Sequence, residues 1–182
     1  ALDLADERDA AVEVLNVVAV PQQTPISEGR QFVADERQII DDALAFAEET
    51  APGISVSGKI RIGHDVSKAI LNTIEQDEID LVLMGWRGRG RRRDYILGSN
   101  VDRVVKQARC DVLVERIGPT TGTVDSILLP TAGGPHAEFA TEIVAVIAER
   151  NDAAVEVLYV RTGEDSTEDP QAVLDRTAEQ LP

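Results

Sequence analysis

Aromatic residues make up only 3% of the 182-residue chain. A surface that stacks nucleic-acid bases needs such rings, so their scarcity argues against one. The single cysteine, Cys110, excludes an intrachain disulfide and fits a reducing, cytoplasmic setting. No apolar run approaches the roughly 18 residues of a membrane-spanning helix, and no secretory leader is visible. Lysine is almost missing: Lys59, Lys68 and Lys106 are the only ones among 18 basic residues, against 33 acidic ones, for a net charge of −15. So acidic a chain is a poor partner for nucleic acid, whose phosphates repel it.

What is present is aliphatic. The hydrophobic fraction is 43%, ordinary for a globular protein, and Val, Ile, Leu and Ala supply most of it. That mix suits a parallel sheet covered by helices. The acidic, lysine-poor surface resembles that of proteins from salt-loving microbes, where carboxylates keep proteins soluble in concentrated salt. The plainer alternative is an acidic soluble protein.

The chain repeats itself. Asp9-Ala-Ala-Val-Glu-Val-Leu15 recurs letter for letter at Asp152–Leu158, an offset of 143 residues. One domain length separates the copies, which points to tandem duplication. Around them the pattern alternates. The end of a helix is expected over 1–9, a strand over 11–20, a loop over 21–31 and a helix over 33–50 with Val33, Ile40, Leu44 and Ala47 inward. A strand over 54–62 precedes a helix capped by Asp65, with Val66, Ala69, Ile70 and Ile74 inward. A buried strand over 79–84, a glycine-rich loop over 85–98, a helix over 99–108 and a strand over 110–114 follow. After a linker come a strand over 126–130, a helix to about 151, a strand over 153–160 and a last helix toward Pro182. Strands alternating with helices predict an α/β, doubly wound, Rossmann-like parallel sheet. The expected organisation is a first domain over 1–117, a linker over 118–124 and the start of a second domain over 125–182.

The chemically informative segment is Gly85-Trp-Arg-Gly88-Arg-Gly-Arg-Arg-Arg-Asp-Tyr-Ile-Leu-Gly98-Ser99. It follows a buried strand and opens a helix, where an α/β sheet presents its carboxyl-end crevice. Glycine lets backbone N–H groups approach an anion, and a helix N-terminus offers free donors and partial positive charge. Ser99 is expected to cap that helix, with Asp102 completing a capping box and Val101, Val104, Val105 and Ala108 inward. Arg87, Arg89, Arg91, Arg92 and Arg93 either grip phosphates through charge-assisted bonds or form a solvated basic loop. Trp86 either shields a ligand or covers the sheet, and Cys110 is expected in the core. His64 and His136 have no partners at ligand spacing, so no metal site is expected. No Ser–His–Asp set or carboxylate pair emerges, so no catalytic residue is expected.

The spacing Gly-x2-Gly-x9-Gly-Ser, with Ile79-Asp-Leu-Val-Leu-Met84 before it and Cys110-Asp-Val-Leu-Val-Glu-Arg116 after it, resembles the nucleotide-binding signature of the universal stress protein family. The resemblance implies a five-stranded parallel sheet of the adenine nucleotide alpha hydrolase-like type. It also implies an adenine nucleotide, ATP or AMP with or without Mg2+, as ligand. Gly85, Gly88, Gly98, Ser99 and Asn100 match positions that bind phosphate and ribose. Met84 matches a position lining the cleft, and Val17 one whose backbone meets adenine. Arg87 and Arg89 are added as candidate phosphate contacts. Where the family's first strand usually ends in Asp, the second copy has Ala132. Family members commonly pair through the last strand, which implies a homodimer through Cys110–Val114.

The segments Val17–Gly29 and Thr131–His136 are similar to cytosolic tails of archaeal amino-acid and cation transporters. The resemblance thus implies a regulatory, non-catalytic nucleotide-binding tail at the inner face of a membrane, with a transporter domain upstream and slow ATP hydrolysis left open. The alternatives are a free-standing tandem stress protein and a structural dimerisation module without ligand. By the repeat register, strand 126–130 corresponds to a position before residue 1, and the second copy stops before a counterpart of loop 85–98. The chain is therefore expected to be a window on a tandem protein truncated at both ends. In the family's strand order, 3-2-1-4-5, the first copy then has a gap between strands 11–20 and 79–84. Either an upstream strand or strand 126–130 of a partner chain is expected to fill it.

Overall fold

A computed structural model describes residues 1–86, 98–116, 118, 123–159 and 169–182. They gather into two compact units, one of Ala1–Leu2 with Asp9–Pro119 and one of Asp3–Arg8 with Thr120–Pro182. In chain order the elements are α1 (Leu2–Glu7), β1 (Val12–Ala19), a 3-10 segment (Ile26–Phe32), α2 (Val33–Thr50), β2 (Val56–Gly63), α3 (Val66–Gln76) and β3 (Leu81–Trp86). They continue as α4 (Ser99–Gln107), β4 (Asp111–Arg116), β5 (Ser126–Thr131), α5 (Pro135–Asn151), β6 (Ala154–Tyr159) and α6 (Pro170–Ala178).

The alternation and the parallel pairing are as the sequence predicts, but the five-stranded sheet is not formed. Three two-stranded parallel sheets stand in its place: β1–β2, β3–β4 and β5–β6. A central strand must be paired on both edges. None of the described residues supplies a strand between β1 and β3. β5, which the repeat register equates with that position, pairs instead with β6, from Ser126↔Ala154 to Thr131↔Tyr159.

In the first unit β1 and β2 run in register from Val12↔Val56 to Ala19↔Gly63. Parallel partners share a face, so residues alternate between two coverings. α2 lies over the face of Val14, Asn16 and Gly58. Asn16 Nδ2 donates to Glu36 Oε2 at 2.6 Å, and a Cβ added to Gly58 would meet Ile40 Cγ2 at 2.1 Å. Ile40 and Ala47 are buried as expected, with Val33 and Leu44 half-buried. α3 covers the opposite face. Lys59 and Arg61 reach from β2 to the Asp77 carboxylate at the end of α3, at 2.8 and 3.5 Å, and Lys59 also pairs with Glu13 at 2.7 Å. The bond with Asp77, then that with Glu13, raises the pKa of Lys59, and the same contact with Lys59 lowers that of Asp77.

Two boundaries and one burial differ from expectation. The segment assigned wholly to loop before α2 contains the 3-10 turn Ile26–Phe32. Gly85 and Trp86 belong to β3, because their ladder to Glu115 and Arg116 continues past the apolar run. In α4, Val101 and Val104, one turn apart, are buried but Val105 is 44% exposed, since this narrow stripe suffices to seat so short a helix.

In the second unit α1 lies along α5. Arg8 Nη2 pairs with Glu142 Oε1 at 2.7 Å, and its guanidinium sits 5.6 Å from the centre of the Phe139 ring. Arg150 pairs with Asp6. Leu4 and Ala5 are buried beneath these pairs.

Three helices end on an acidic residue in the left-handed region: Asp9 (φ 49°), Glu78 (φ 52°) and Asp152 (φ 53°). Each turns the chain directly into a strand. After α3, the Ile79 N–H bonds the Ile74 carbonyl at 3.0 Å, and after α5 the Ala153 N–H bonds that of Ala148 at 3.0 Å. These are Schellman closures, which glycine usually makes. Both copies of the repeated heptapeptide therefore begin at an aspartate in the left-handed region.

Candidate functional site

In the first unit β1, β2 and β3 end at Ala19, Gly63 and Trp86; α3 begins just beyond β2, and Arg103 near the head of α4 reaches Asp65 at the start of α3. This carboxyl edge is where parallel α/β sheets place ligands. The ends of β1 and β2 are tied beyond the ladder. The Val20 N–H bonds the Gly63 carbonyl at 2.9 Å, and His64 Nδ1 lies 3.1 Å from the Val20 carbonyl. A carbonyl only accepts, so Nδ1 carries the hydrogen.

The expected site residues fall at this edge as follows. Met84 and Gly85 sit near the end of β3, paired with Val114 and Glu115; Met84 is half-buried and Gly85 exposed. Gly98, Ser99 and Asn100 open α4 and are all exposed. Val17 is half-buried near the end of β1, opposite Arg61, and so lies on a different sheet from Met84. Gly88, Arg87 and Arg89, with the other loop arginines, lie outside the described residues.

The cap of α4 is not the expected one. Gly98 (φ −51°, ψ 149°) is the N-cap, and no side chain bonds the first turn. Ser99 is already the first helical residue, so its hydroxyl is past the capping position. Asp102 reaches forward to Lys106 at 2.9 Å instead of back to close a capping box. Among the described residues no side chain caps the head of α4, and a free helix N-terminus is the kind of place that takes an anion. A Cβ added at Gly98 would meet nothing within 4 Å.

α3 begins differently. Asp65 (φ −135°) is its N-cap, accepting from the Lys68 N–H at 3.0 Å and from Ser67 Oγ at 2.7 Å. Its other oxygen takes Arg103 Nη1 of α4 at 2.5 Å, and the same nitrogen lies 3.1 Å from Ser67 Oγ. The Lys68 N–H, then Ser67, then Arg103 stabilise the carboxylate and hold the Asp65 pKa at about 2. Sequence reading found the Asp65 cap but not this cluster: Arg103 is 38 residues away, and nothing local marks it as a partner.

Cys110 is half-buried just before β4 rather than in a core, and burial followed by the Asp111 charge raises its thiol pKa. Among the described residues no group of three or more His, Cys, Asp or Glu is gathered to hold a metal ion. No helix among them is long and apolar enough to cross a membrane.

Comparison with known proteins places these features in context. The profile described as the universal stress protein family matches residues 1–116. A Na(+)/H(+) antiporter of Synechocystis is 31% identical over 133 residues, which are 71% of this chain and 19% of the antiporter. A protein of Staphylococcus saprophyticus named as a universal stress protein is 29% identical over 120 residues, 64% of this chain and 72% of that protein. A solved structure from Pseudomonas aeruginosa, also named as a universal stress protein, superposes with a TM-score of 0.55 at 16% identity. It covers 98% of this chain and 59% of its own, a likeness of fold alone. The chain thus spans about a fifth of the antiporter's length.

Proposed function

Since the chain belongs to the universal stress protein family, we propose that its first unit binds an adenine nucleotide, ATP or AMP, as a regulatory rather than a catalytic module. The observation that carries the reading is the head of α4. Its first residues are exposed, follow a glycine cap, and have no side-chain cap among the described residues. Phosphate oxygens suit such donors because the helix dipole adds partial positive charge at the same place. Gly98, Ser99 and Asn100 would hold the phosphates, and Met84, Gly85 and the backbone at Val17 would flank the nucleoside. The exposed first turn leaves room for the group, and a Mg2+ ion bound with it would offset phosphate charge.

The antiporter relative favours a role beside a cation transporter, in which nucleotide binding to the tail reports cellular state to the membrane domain. A second reading, a free-standing stress protein, is favoured by the staphylococcal relative, most of whose length is matched.

Calorimetry with ATP and AMP tests the reading. Gly98→Val should abolish binding while leaving the fold intact, since the backbone there suits any residue and the new side chain has open space. Ser99→Ala should weaken binding by about fivefold, the equivalent of one hydrogen bond of about 1 kcal/mol. Equal affinity of Gly98→Val and the parent would remove the head of α4 from the site.

A further inference from the structure

We propose that Asp65 and Ser67 are positioning residues for the head of α4: by holding Arg103 they fix the first turn on which phosphate affinity depends. The inference rests on the nucleotide reading above. Both oxygens of Asp65 are occupied. One takes Ser67 Oγ and the Lys68 N–H, the other takes Arg103. Ser67 is 1% exposed, and its hydroxyl donates to Asp65 while receiving Arg103. Asp65, Ser67 and Arg103 thus close a triangle in which both oxygens of the carboxylate and the hydroxyl have partners.

The triangle sits one turn inside the head of α4, since Arg103 is four residues beyond Ser99 and projects from the same side of the helix. Asp65 itself stands at the start of α3, at the carboxyl edge of β2. An uncompensated carboxylate there would repel phosphate, and Arg103 neutralises it. Arg103 and Asp65 are 47% and 36% exposed, so the ion pair contributes little to stability. Its effect is geometric: it locks the rotation of α4 against α3 where no described side chain caps the helix head.

The sign of the effect separates this role from direct contact. If Arg103 gripped phosphate itself, Asp65→Asn would free it and tighten ATP. As a positioning pair, Asp65→Asn and Arg103→Gln should each weaken ATP by roughly threefold to tenfold, the range set by a lost exposed ion pair with its hydroxyl bond. The double variant should be no weaker than either single one, Arg103→Lys should recover part of the loss, and adenosine, without phosphates, should bind each variant as it binds the parent. Calorimetry on the full chain with ATP and with adenosine reads all of these. Unchanged ATP affinity, tighter ATP, or an equal loss for adenosine overturns the proposal. If the parent chain binds neither ligand, the nucleotide reading fails by itself. Amide hydrogen exchange then decides the positioning: Asp65→Asn should speed exchange along Asp102–Gln107 without changing β1 or β2, and unchanged exchange in α4 overturns it.

Discussion

The close passage of α2 over Gly58 makes a sharp stability prediction. An alanine Cβ there would meet Ile40 Cγ2 at 2.1 Å, with Ile40 Cβ and Leu44 Cδ1 both at 3.6 Å. Carbon atoms rest about 3.5–4.0 Å apart, so the nearest contact is short by about 1.5 Å while the other two are ordinary. Ile40 is 4% exposed and β-branched, so it has no free rotamer into which to retreat. Overpacking of this size costs about 1–3 kcal/mol. Replacing glycine within a strand returns about 0.5–1 kcal/mol of backbone entropy. Gly58→Ala should therefore destabilise the first unit by about 1–2 kcal/mol. Trp86, the one tryptophan, lies in that unit, so its fluorescence during urea unfolding reports on the unit selectively. Ile40→Leu moves the branch away from the contact, and the double variant should recover at least half the loss, a coupling that a double-mutant cycle measures. A Gly58→Ala midpoint within error of the parent, or simple additivity with Ile40→Leu, would refute the packing argument.

Further outcomes follow from other sites. Glu78→Gly should stabilise the first unit by about 1 kcal/mol in the same assay, because it relieves a left-handed glutamate and removes a negative charge from a helix C-terminus; a loss of stability would show that the Glu78 side chain matters in itself. Asp65 has a folded pKa of about 2 against an ordinary 3.8. Its contribution is therefore present above pH 4 and lost as pH falls through 2, so Asp65→Asn should flatten the parent's stability loss between pH 4 and 2; parallel acid-unfolding curves for variant and parent would contradict this. Among the described residues β4 pairs on one edge only, with β3, and we propose it as the dimer edge: Val112→Lys should lower the light-scattering mass to that of a monomer, and an unchanged dimer mass would exclude β4 as the interface.

The parts of the fold that depend on neighbouring residues were legible. Helix 33–50 was bounded correctly because its apolar spacing and the Pro52-Gly53 break are local signals. Asp65 was recognisable as a cap because the acceptor and its Lys68 donor lie three residues apart. Ser99 was misplaced by one position because Ser-x-x-Asp is a capping pattern, yet Gly98 adopts the extended cap conformation and Asp102 finds Lys106 one turn on. Strand pairing was less legible. The five-stranded sheet is not formed: β1–β2 and β3–β4 are separate sheets, divided where the repeat register leaves a gap between strands 11–20 and 79–84, and β5 pairs with β6. For the candidate site, the glycine spacing points to Gly85 and Gly98 as proposed ligand residues, while the Asp65–Ser67–Arg103 triangle is a tertiary contact that periodicity does not encode.

The heptapeptide shared by β1 and β6 sets a problem of partner choice while the chain is still folding. Identical residues, each launched from a left-handed aspartate, offer identical backbone edges and nearly identical side-chain faces, so local energetics alone do not tell β2's partner from β5's. Discrimination passes to the first residue that differs: Asn16, held by Glu36 of α2, in one copy, and Tyr159 in the other. A nascent chain makes β1 long before β6, which gives β2 first claim on it. A chain diluted from denaturant has both at once, and mispaired, slowly rearranging species are the expected cost of that symmetry.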